Sequence, residues 1–369
     1  MAVNLYGTNN ALAVKAWARK LFSEALKMTR FGQFKGPDGA TDSMISVRNE
    51  LSKAKGDKVT IGLRMQLAAA GIQGDGTLEG EEEALTLYND AIVLDQLRHA
   101  VRTAGRMSEQ RVNFDTREEG MEGLRDWWAD RLDGSLFNQL CGATTQQTQA
   151  NASQSSSVDS RFSGNQVAIA PDSNHIFSSS VDNLGTTEAS LSLTTTFALK
   201  LADIDRAVAK AKTLNPAIRP IAINGQKMYV MFIHPAQTYQ LRATTSTGSW
   251  QDIQKSILTG GVIGDNPLIT GLLGTYNNTM LVEDARVPYV STAVTSSSSY
   301  RRAVLCGAQA AGLAVGRDNA DTNMFWVEEL FDYGNQLGVS AGMIFGIKKF
   351  VFNSADFATI VCASYAPAV

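Results

Sequence analysis

The sequence offers three histidines as candidates for proton transfer or metal binding. His99 lies in an alternating stretch, His175 in a polar region and His234 directly before a proline, so no two share the spacing of a zinc-binding helix. Each is better explained by a hydrogen-bonded structural role, because the partner residues of a metal site are scarce. The sequence therefore predicts no metal site and no cofactor.

Two acid pairs have the side chains needed for acid and base catalysis. Asp203 and Asp205 begin a predicted helix, whose dipole already explains acids at that point, and Glu283 precedes Asp284. A chain with 36 Asp and Glu residues yields such pairs by chance. The sequence also contains no Gly-Lys dipeptide of a Walker loop. No catalytic residues are predicted.

Acidic and basic residues are segregated in the first third of the chain. No Lys or Arg lies between Arg64 and Arg98. The acids of that segment are Asp75, Glu79, Glu81, Glu82, Glu83, Asp90 and Asp95. The arginines that follow are Arg98, Arg102, Arg106, Arg111 and Arg117. One interpretation is a solvated acidic loop beside a basic strand.

The other interpretation is a contact between copies of the chain, because complementary charges fix the register and orientation of subunits. The acidic tip of one copy would comprise Asp75, Glu79, Glu81, Glu82 and Glu83. The basic counter-surface on another copy would comprise Arg98, Arg102, Arg106 and Arg111.

The elements that carry these charges are predicted to be strands. Apolar and polar residues alternate from Lys58 to Met65, which predicts a half-buried strand. A second alternating stretch over residues 85–101 is predicted to bury Leu85, Leu87, Ala91, Val93, Leu97 and Val101. The residues between the two stretches are too many for a tight hairpin. We therefore expect a two-stranded arm with a long tip, which needs a surface to lie on.

Helices are predicted on both sides of this arm. Residues 11–28 form an amphipathic pattern whose polar side carries Lys15, Arg19, Lys20 and Lys27. A longer helix of about 25 residues is predicted from Asp115 as N-cap, with Glu118 completing a capping box. Its apolar stripe comprises Met121, Leu124, Trp128, Leu132, Leu136 and Leu140.

The rest of the chain reads as a loop followed by mixed helix and strand. Residues 144–193 are rich in Ser, Thr, Gln and Asn and predict a loop or flexible surface. A helix with Leu201, Ile204, Val208 and Ala211 on one face comes next. A buried strand over 229–233 and a short helix from Pro235 follow. The tail is β-like, with Ile344, Phe350, Val351 and Phe352 as expected packed positions.

Composition restricts the class of protein. The chain has 369 residues, 44% of them hydrophobic, and a formal charge of -3, which is compatible with a sizeable core and argues against bulk polyanion binding. Cys141, Cys306 and Cys362 lie far apart and are expected to be reduced. No apolar run reaches eighteen residues and no signal peptide is evident, so no membrane partner is predicted.

A run of segments resembles a known family. The succession KGDKVTIGLRMQL, GDGTLEGEEEALT, DQLRHAVRTAGRMSEQR, REEGMEGLRDWWADRLD, FNQLCG and IAPDSNHIF resembles the major capsid proteins of N4-type podophages, which are tailed bacteriophages. The resemblance continues in LADIDRAV, VMFIHPAQTYQLR and the tail, so it covers most of the chain. It implies an α+β chain with an HK97-like fold.

The resemblance also implies a layout. Residues 1–47 would form an N-terminal arm and residues 48–97 an extended loop. Residues 98–194 would form a peripheral domain with a spine helix at 115–141 and the Ser/Thr-rich loop. Residues 195–300 would form an axial domain, and residues 301–369 would return as strands to the peripheral domain.

The function implied by the resemblance is that of a non-enzymatic shell subunit. It would assemble in the host cytoplasm into hexamers and pentamers of an icosahedral virion head around double-stranded DNA. Portal and decoration or scaffolding proteins would be further partners. Because the arm lies inside the shell in this family, Lys15, Arg19, Lys20 and Lys27 are expected to face DNA weakly and without sequence preference, or to pair with acids of a neighbour. The alternatives are an encapsulin-like protein compartment and, less favoured, a cytosolic α/β enzyme.

Overall fold

The computed structural model describes residues 29–50, 56–111, 113, 115–144, 166–179, 197–223, 225–243, 272–289, 300–316 and 324–366. The predicted helix over residues 11–28, with its four cations, lies outside this part of the chain. Most of the Ser/Thr-rich segment lies outside it as well.

The described part contains helices and strands in mixed order. The helices are α1 (Arg30–Phe34), α2 (Arg106–Arg111), α3 (Thr116–Leu140), α4 (Leu201–Thr213) and α5 (Pro235–Ala243). The strands of the first half are β1 (Lys35–Asp38), β2 (Ile45–Arg48), β3 (Lys58–Arg64), β4 (Leu87–Val93), β5 (Asp95–Arg102), β6 (Ile176–Ser178), β7 (Ile221–Ile223) and β8 (Gln226–Ile233). Those of the second half are β9 (Leu272–Tyr276), β10 (Thr279–Glu283), β11 (Tyr300–Cys306), β12 (Ala311–Val315), β13 (Phe325–Phe331), β14 (Gln336–Lys349), β15 (Val351–Phe352), β16 (Ala355–Asp356) and β17 (Thr359–Tyr365).

The strands form two main sheets and a ribbon. The first sheet has the order β1-β2-β12-β14-β13, and β5 also pairs with β14. The second has the order β6-β17-β11-β8-β10-β9, and β7 also pairs with β8. Strands β3 and β4 form a separate antiparallel ribbon from the pair Lys58 and Val93 to the pair Arg64 and Leu87. The predicted two-stranded arm is therefore confirmed.

The long helix α3 joins the two sheets. Its predicted stripe, from Met121 to Leu140, is buried throughout. The Trp128 ring meets Phe345 of β14 edge-on at 6.1 Å, and Phe137 meets Phe232 of β8 at 5.2 Å. One helix thus packs on the first sheet near its middle and on the second near its end, within a single core cluster.

Both ends of α3 follow from local sequence. The Asp115 carboxylate accepts a hydrogen bond from the Arg117 backbone N–H at 2.9 Å, as expected of an N-cap. At the other end Gly142 adopts a left-handed φ of 61°. The Gly142 N–H donates to the carbonyl of Gln139 and the Ala143 N–H to that of Asn138, which is the Schellman pattern. The predicted helix is confirmed in position and in length, 25 residues.

The second alternating stretch differs from its prediction. Residues 85–101 do not form one strand: β4 belongs to the ribbon, and β5 leaves it to pair with β14. In β4 the buried side chain is Ile92, whereas Leu87 and Val93, which were predicted to be buried, are exposed. The reason is Asp90, which shares the inner face with Ile92 and is paired there with Lys348. A polar residue on the buried face made the alternation appear reversed.

One further expectation is corrected, and the tail shows a division between the sheets. Residues 176–178 were predicted as part of a loop, but they form the buried strand β6, which pairs with β17. The strands of the tail divide between the two sheets: β12, β13 and β14 lie in the first, whereas β11 and β17 pair with each other and β11 with β8 in the second. The side chains of β11 and β17 are almost all buried, as expected of central strands covered on both faces.

Trp128→Ala is expected to destabilise the subunit by about 3–5 kcal/mol, because it removes a fully buried aromatic side chain and leaves a cavity. Denaturant unfolding of the soluble subunit would measure the change. Trp127→Ala is the matched control, since that neighbouring ring is only partly buried and stacks on His99. An unfolding free energy equal to that of the unchanged protein would contradict the assignment of Trp128 to the core.

Candidate self-association surface

The base of the ribbon packs on the first sheet. The inner side chains of β3, Val59, Ile61 and Leu63, lie on the predicted face. Together with β4 they cover a small apolar cluster. Its buried members are Val59, Ile92, Leu94, Ala314, Phe350 and Phe352. The base of the ribbon is therefore fixed to its own subunit.

Beyond this base the ribbon is open to solvent. Every residue from 66 to 87 is exposed. The segment nevertheless contains Leu67, Ile72, Leu78 and Leu85, with exposures between 41% and 59%. Such a concentration of exposed apolar side chains on a ribbon that is marginal alone indicates a surface that is covered in another state.

Two acids of the acidic tip accept hydrogen bonds within the ribbon. The Glu83 carboxylate accepts hydrogen bonds from the backbone N–H groups of Ala68 and Ala69 at 2.8 to 2.9 Å. These bonds hold the pKa of Glu83 below its usual value. Glu82 accepts one from the Gly80 N–H at 2.8 Å. Glu83 thus closes the loop of its own ribbon, a role that the charge pattern did not indicate.

Two of the predicted arginines lie on the solvent face of the first sheet. Arg98 and Arg102 are four residues apart on β5, so they share that face. The Arg102 guanidinium lies over the Phe331 ring at 4.3 Å and bonds the side chain of Gln336. Arg98 stands beside Gly342, where an added Cβ would come within 2.1 Å of the Phe325 ring. The glycine therefore allows an arginine and a phenylalanine to lie flat across the strand.

This surface is here named the arginine face. Its residues are Arg98, Arg102, Phe325, Val327 and Phe331. The other two predicted arginines, Arg106 and Arg111, are exposed on the short helix α2 that follows β5. The Arg106 backbone N–H donates to the Asn335 side chain at 3.3 Å, which places α2 next to the turn between β13 and β14. Among the described residues no ion pair joins the acidic tip to any of the four arginines within one subunit.

The aromatic part of the arginine face was missed at the level of sequence. Phe325 and Phe331 lie on β13, more than two hundred residues from Arg98, and only strand pairing brings them together. The glycines spaced by four in the stretch LGVSAGMIFG were the available signal, because glycine inside a strand often marks the close approach of another group.

The three histidines have structural surroundings. His175 Nδ1 bonds the Asp172 carboxylate at 2.7 Å, and the His99 ring stacks on Trp127 at 4.3 Å. His234 accepts a bond from the Ala236 N–H, and burial beside Arg301 lowers its pKa to about 3. His234 is therefore neutral and serves as a helix cap.

Asp203, Asp205 and the cysteines likewise have structural surroundings. Buried Asp203 accepts from the Ser179 hydroxyl at 2.7 Å and from the Lys200 N–H at 2.9 Å, while Asp205 accepts from the Tyr276 hydroxyl at 2.8 Å. The cysteines are free and buried, and burial raises the pKa of Cys141 to about 12. Within the described ranges no group of three or more His, Cys, Asp or Glu could hold a metal ion. No described helix is long and apolar enough to cross a membrane.

The sequence pattern of the family described as "Phage capsid protein" matches residues 6–368. This chain belongs to that family. The chain is 30% identical to the "Major capsid protein" of Pseudomonas phage KPP25 over 93% of each sequence. The structure is similar to the capsid of Ralstonia phage GP4, with a TM-score of 0.78 and 30% identity over 100% of this chain and 99% of that one. The capsid of cyanophage Pam1 shares the fold, with a TM-score of 0.70 and 18% identity over 93% and 94% of the two chains.

These findings confirm the resemblance to phage major capsid proteins and the α+β, HK97-like fold. The chain is a phage major capsid protein and therefore a component of the virion. Membership of a capsid family implies that the capsid protein associates with copies of itself into a lattice. The encapsulin-like and enzyme alternatives are not favoured.

The closure of the ribbon tip by Glu83 is expected to depend on pH. Because hydrogen bonds to the carboxylate lower the pKa of Glu83, the closed loop is stable above the usual glutamate pKa of about 4.3 and is lost as the pH falls through the lowered value. Amide NMR shifts of Ala68 and Ala69, followed from neutral to acid pH, would report the change. Glu83→Ala is the control, and an identical acid transition of both amides in that variant would contradict the assignment.

Proposed function

We propose that this capsid protein builds its lattice by laying the acidic tip of each ribbon on the arginine face of a neighbouring copy. The observation that carries the proposal is that every residue from 66 to 87 is exposed in the isolated subunit, including the leucines and the isoleucine. A second copy supplies a surface of suitable chemistry, since the arginine face presents both cations and aromatic rings. Complementary charges on the two surfaces favour one orientation of the contact.

The two kinds of side chain contribute differently to this contact. An exposed ion pair contributes about 0.2–1 kcal/mol. Burial of one Leu or Ile side chain contributes about 1.5–3 kcal/mol. Leu67, Ile72, Leu78 and Leu85 therefore supply most of the affinity, whereas Glu79, Glu81 and the arginines select the register.

The proposal extends to the layout of the subunit. Residues 1–47 act as the N-terminal arm and residues 48–97 as the extended loop. Residues 98–194, with α3 as the spine helix, belong to the peripheral domain, and residues 195–300 to the axial domain. Within residues 301–369, β12 to β14 complete the peripheral domain, and β11 and β17 are assigned to the axial domain because they pair with β8 or with each other.

The assembly proposed for these subunits is an icosahedral head of hexamers and pentamers that encloses double-stranded DNA. It carries a portal and, where the phage encodes them, decoration or scaffolding proteins. The capsid protein has no catalytic role in this proposal, because its histidines and acid pairs are engaged in packing and capping.

Reversal of Glu79, Glu81 and Glu82 to Lys is expected to block or misdirect assembly, because the tip would then repel the arginine face. Circular dichroism of the unassembled subunit should stay unchanged, and electron microscopy of the assembly products would show the defect. Glu83 is left intact, since its reversal would also open the loop. Reversal of Asp42, Glu122 and Asp126, three exposed acids outside the ribbon, is the matched control.

A partner reversal completes this test. In a subunit that carries the reversed tip, Arg98→Glu together with Arg102→Glu should restore the assembly of shells if the two surfaces meet. Uniform shells from the reversed tip alone would refute the contact.

The N-terminal cations are proposed to face the packaged DNA, since the arm lies inside the shell in this family. Four cations give a weak contact that is independent of DNA sequence and decreases with salt. Replacement of Lys15, Arg19, Lys20 and Lys27 by Gln is expected to weaken DNA retention in filled heads, most at low salt, with capsomers unchanged. Unchanged retention with unstable capsomers would show that these residues contact protein instead.

A further inference from the structure

We propose that Asp90 and Lys348 form a positioning pair that sets the direction in which the ribbon leaves the capsid subunit. Asp90 lies on β4 and Lys348 near the end of β14, so the pair joins the ribbon to the sheet on which it stands. The inference rests on the contact proposed for the acidic tip, because the direction of a ribbon matters only when its tip has a defined target.

The pair makes directed contacts at several points. One oxygen of the Asp90 carboxylate accepts from Lys348 Nζ, and the other accepts from the Val351 backbone N–H at 3.0 Å. Lys348 Nζ also donates to the Ala91 carbonyl at 3.2 Å. Both side chains are largely buried, with 9% and 13% exposure. One carboxylate and one ammonium thus connect the ribbon to both β14 and β15.

A second contact lies two residues away on the same strand. An added Cβ on Gly346 would lie 2.2 Å from the Val93 carbonyl oxygen and 2.9 Å from the Ile92 side chain. The backbone of β4 therefore rests directly on β14 at this point. The apolar contacts at the base of the ribbon have no preferred direction, whereas the hydrogen bonds at Asp90 do, and they therefore fix the angle of the ribbon.

The chemistry of the pair suits positioning better than general stabilisation. Desolvation opposes much of the attraction between two buried charges, so such a pair adds little to the net stability of the fold. Hydrogen bonds nevertheless have preferred directions, and a carboxylate with a bond on each oxygen holds its strand in one orientation.

The test removes both partners at once, because a single removal would leave an unpaired charge in a largely buried site. The variant is Asp90→Ala with Lys348→Met in the unassembled subunit. Spin labels at Thr77→Cys in the tip and Glu329→Cys on β13, both exposed positions, report the direction of the ribbon as a distance distribution. The native cysteines are buried and do not compete for the label.

We expect the distance distribution to broaden by roughly twofold in the double variant, with far-ultraviolet circular dichroism unchanged, because a released segment samples more orientations. Lys58→Met is the matched control, since Lys58 is an exposed lysine at the base of the same ribbon. It should leave the distribution unchanged. A double variant with the distribution of the unchanged protein overturns the inference.

Two conservative variants decide the matter if the double variant does not fold. Lys348→Arg keeps the charge and should leave the distribution narrow, whereas Asp90→Asn combined with Lys348→Gln removes both charges and should broaden it. Equal distributions in both variants overturn the inference. Because the distances are measured before assembly, they do not depend on the proposed contact of the tip. Broadened distances with uniform shells would therefore refute that contact and retain the positioning pair.

Discussion

Burial of one long helix against two sheets is the constraint on which the rest of the capsid subunit depends. Trp128 packs on Phe345 of the first sheet, and Phe137 packs on Phe232 of the second. Because interiors are close-packed, a shift of the helix along its axis would disturb both sheets together. The relative placement of the two sheets, and with it that of every surface described above, is therefore fixed through this one helix.

The ribbon, in contrast to the long helix, contacts its own subunit at one end alone. Its base is packed into a small apolar cluster on the first sheet, whereas residues 66–87 contact little of their own subunit. A two-stranded ribbon of this length is unstable as an independent element, so its order must come from its base, from its own loop bonds and from a partner. Glu83 supplies the loop bonds, by accepting from the backbone of Ala68 and Ala69. Among the described residues, the subunit is thus a packed core with an appendage whose apolar side chains are left exposed.

The arginine face illustrates how a strand of small residues creates a binding surface. Gly338, Ser340 and Gly342 of β14 lie between β13 and β5, on the side of the sheet that carries the arginine face. A side chain at Gly338 would collide with Phe331, and one at Gly342 would collide with Phe325 and Arg98. The glycines let the neighbouring aromatic rings and guanidinium groups lie flat against the sheet, where the rings stay partly exposed. Rings and guanidinium groups are well suited to contacts between subunits, since each combines apolar surface with directed polar interactions.

The sequence by itself determined the elements whose signals are local. The cap and stripe of α3, the face of β3 and the helix from Leu201 followed from periodicity and capping, and the family followed from the order of many short segments. Only the tertiary structure decided which face of β4 is buried, because Asp90 is satisfied there by Lys348, a residue more than 250 positions away. The tertiary structure also decided three other features: the division of the tail between two sheets, the strand at 176–178 and the inward bonds of Glu83. Local patterns report how a segment can bury its own apolar side chains, whereas a buried charge or a strand pairing depends on a partner that the local sequence does not contain.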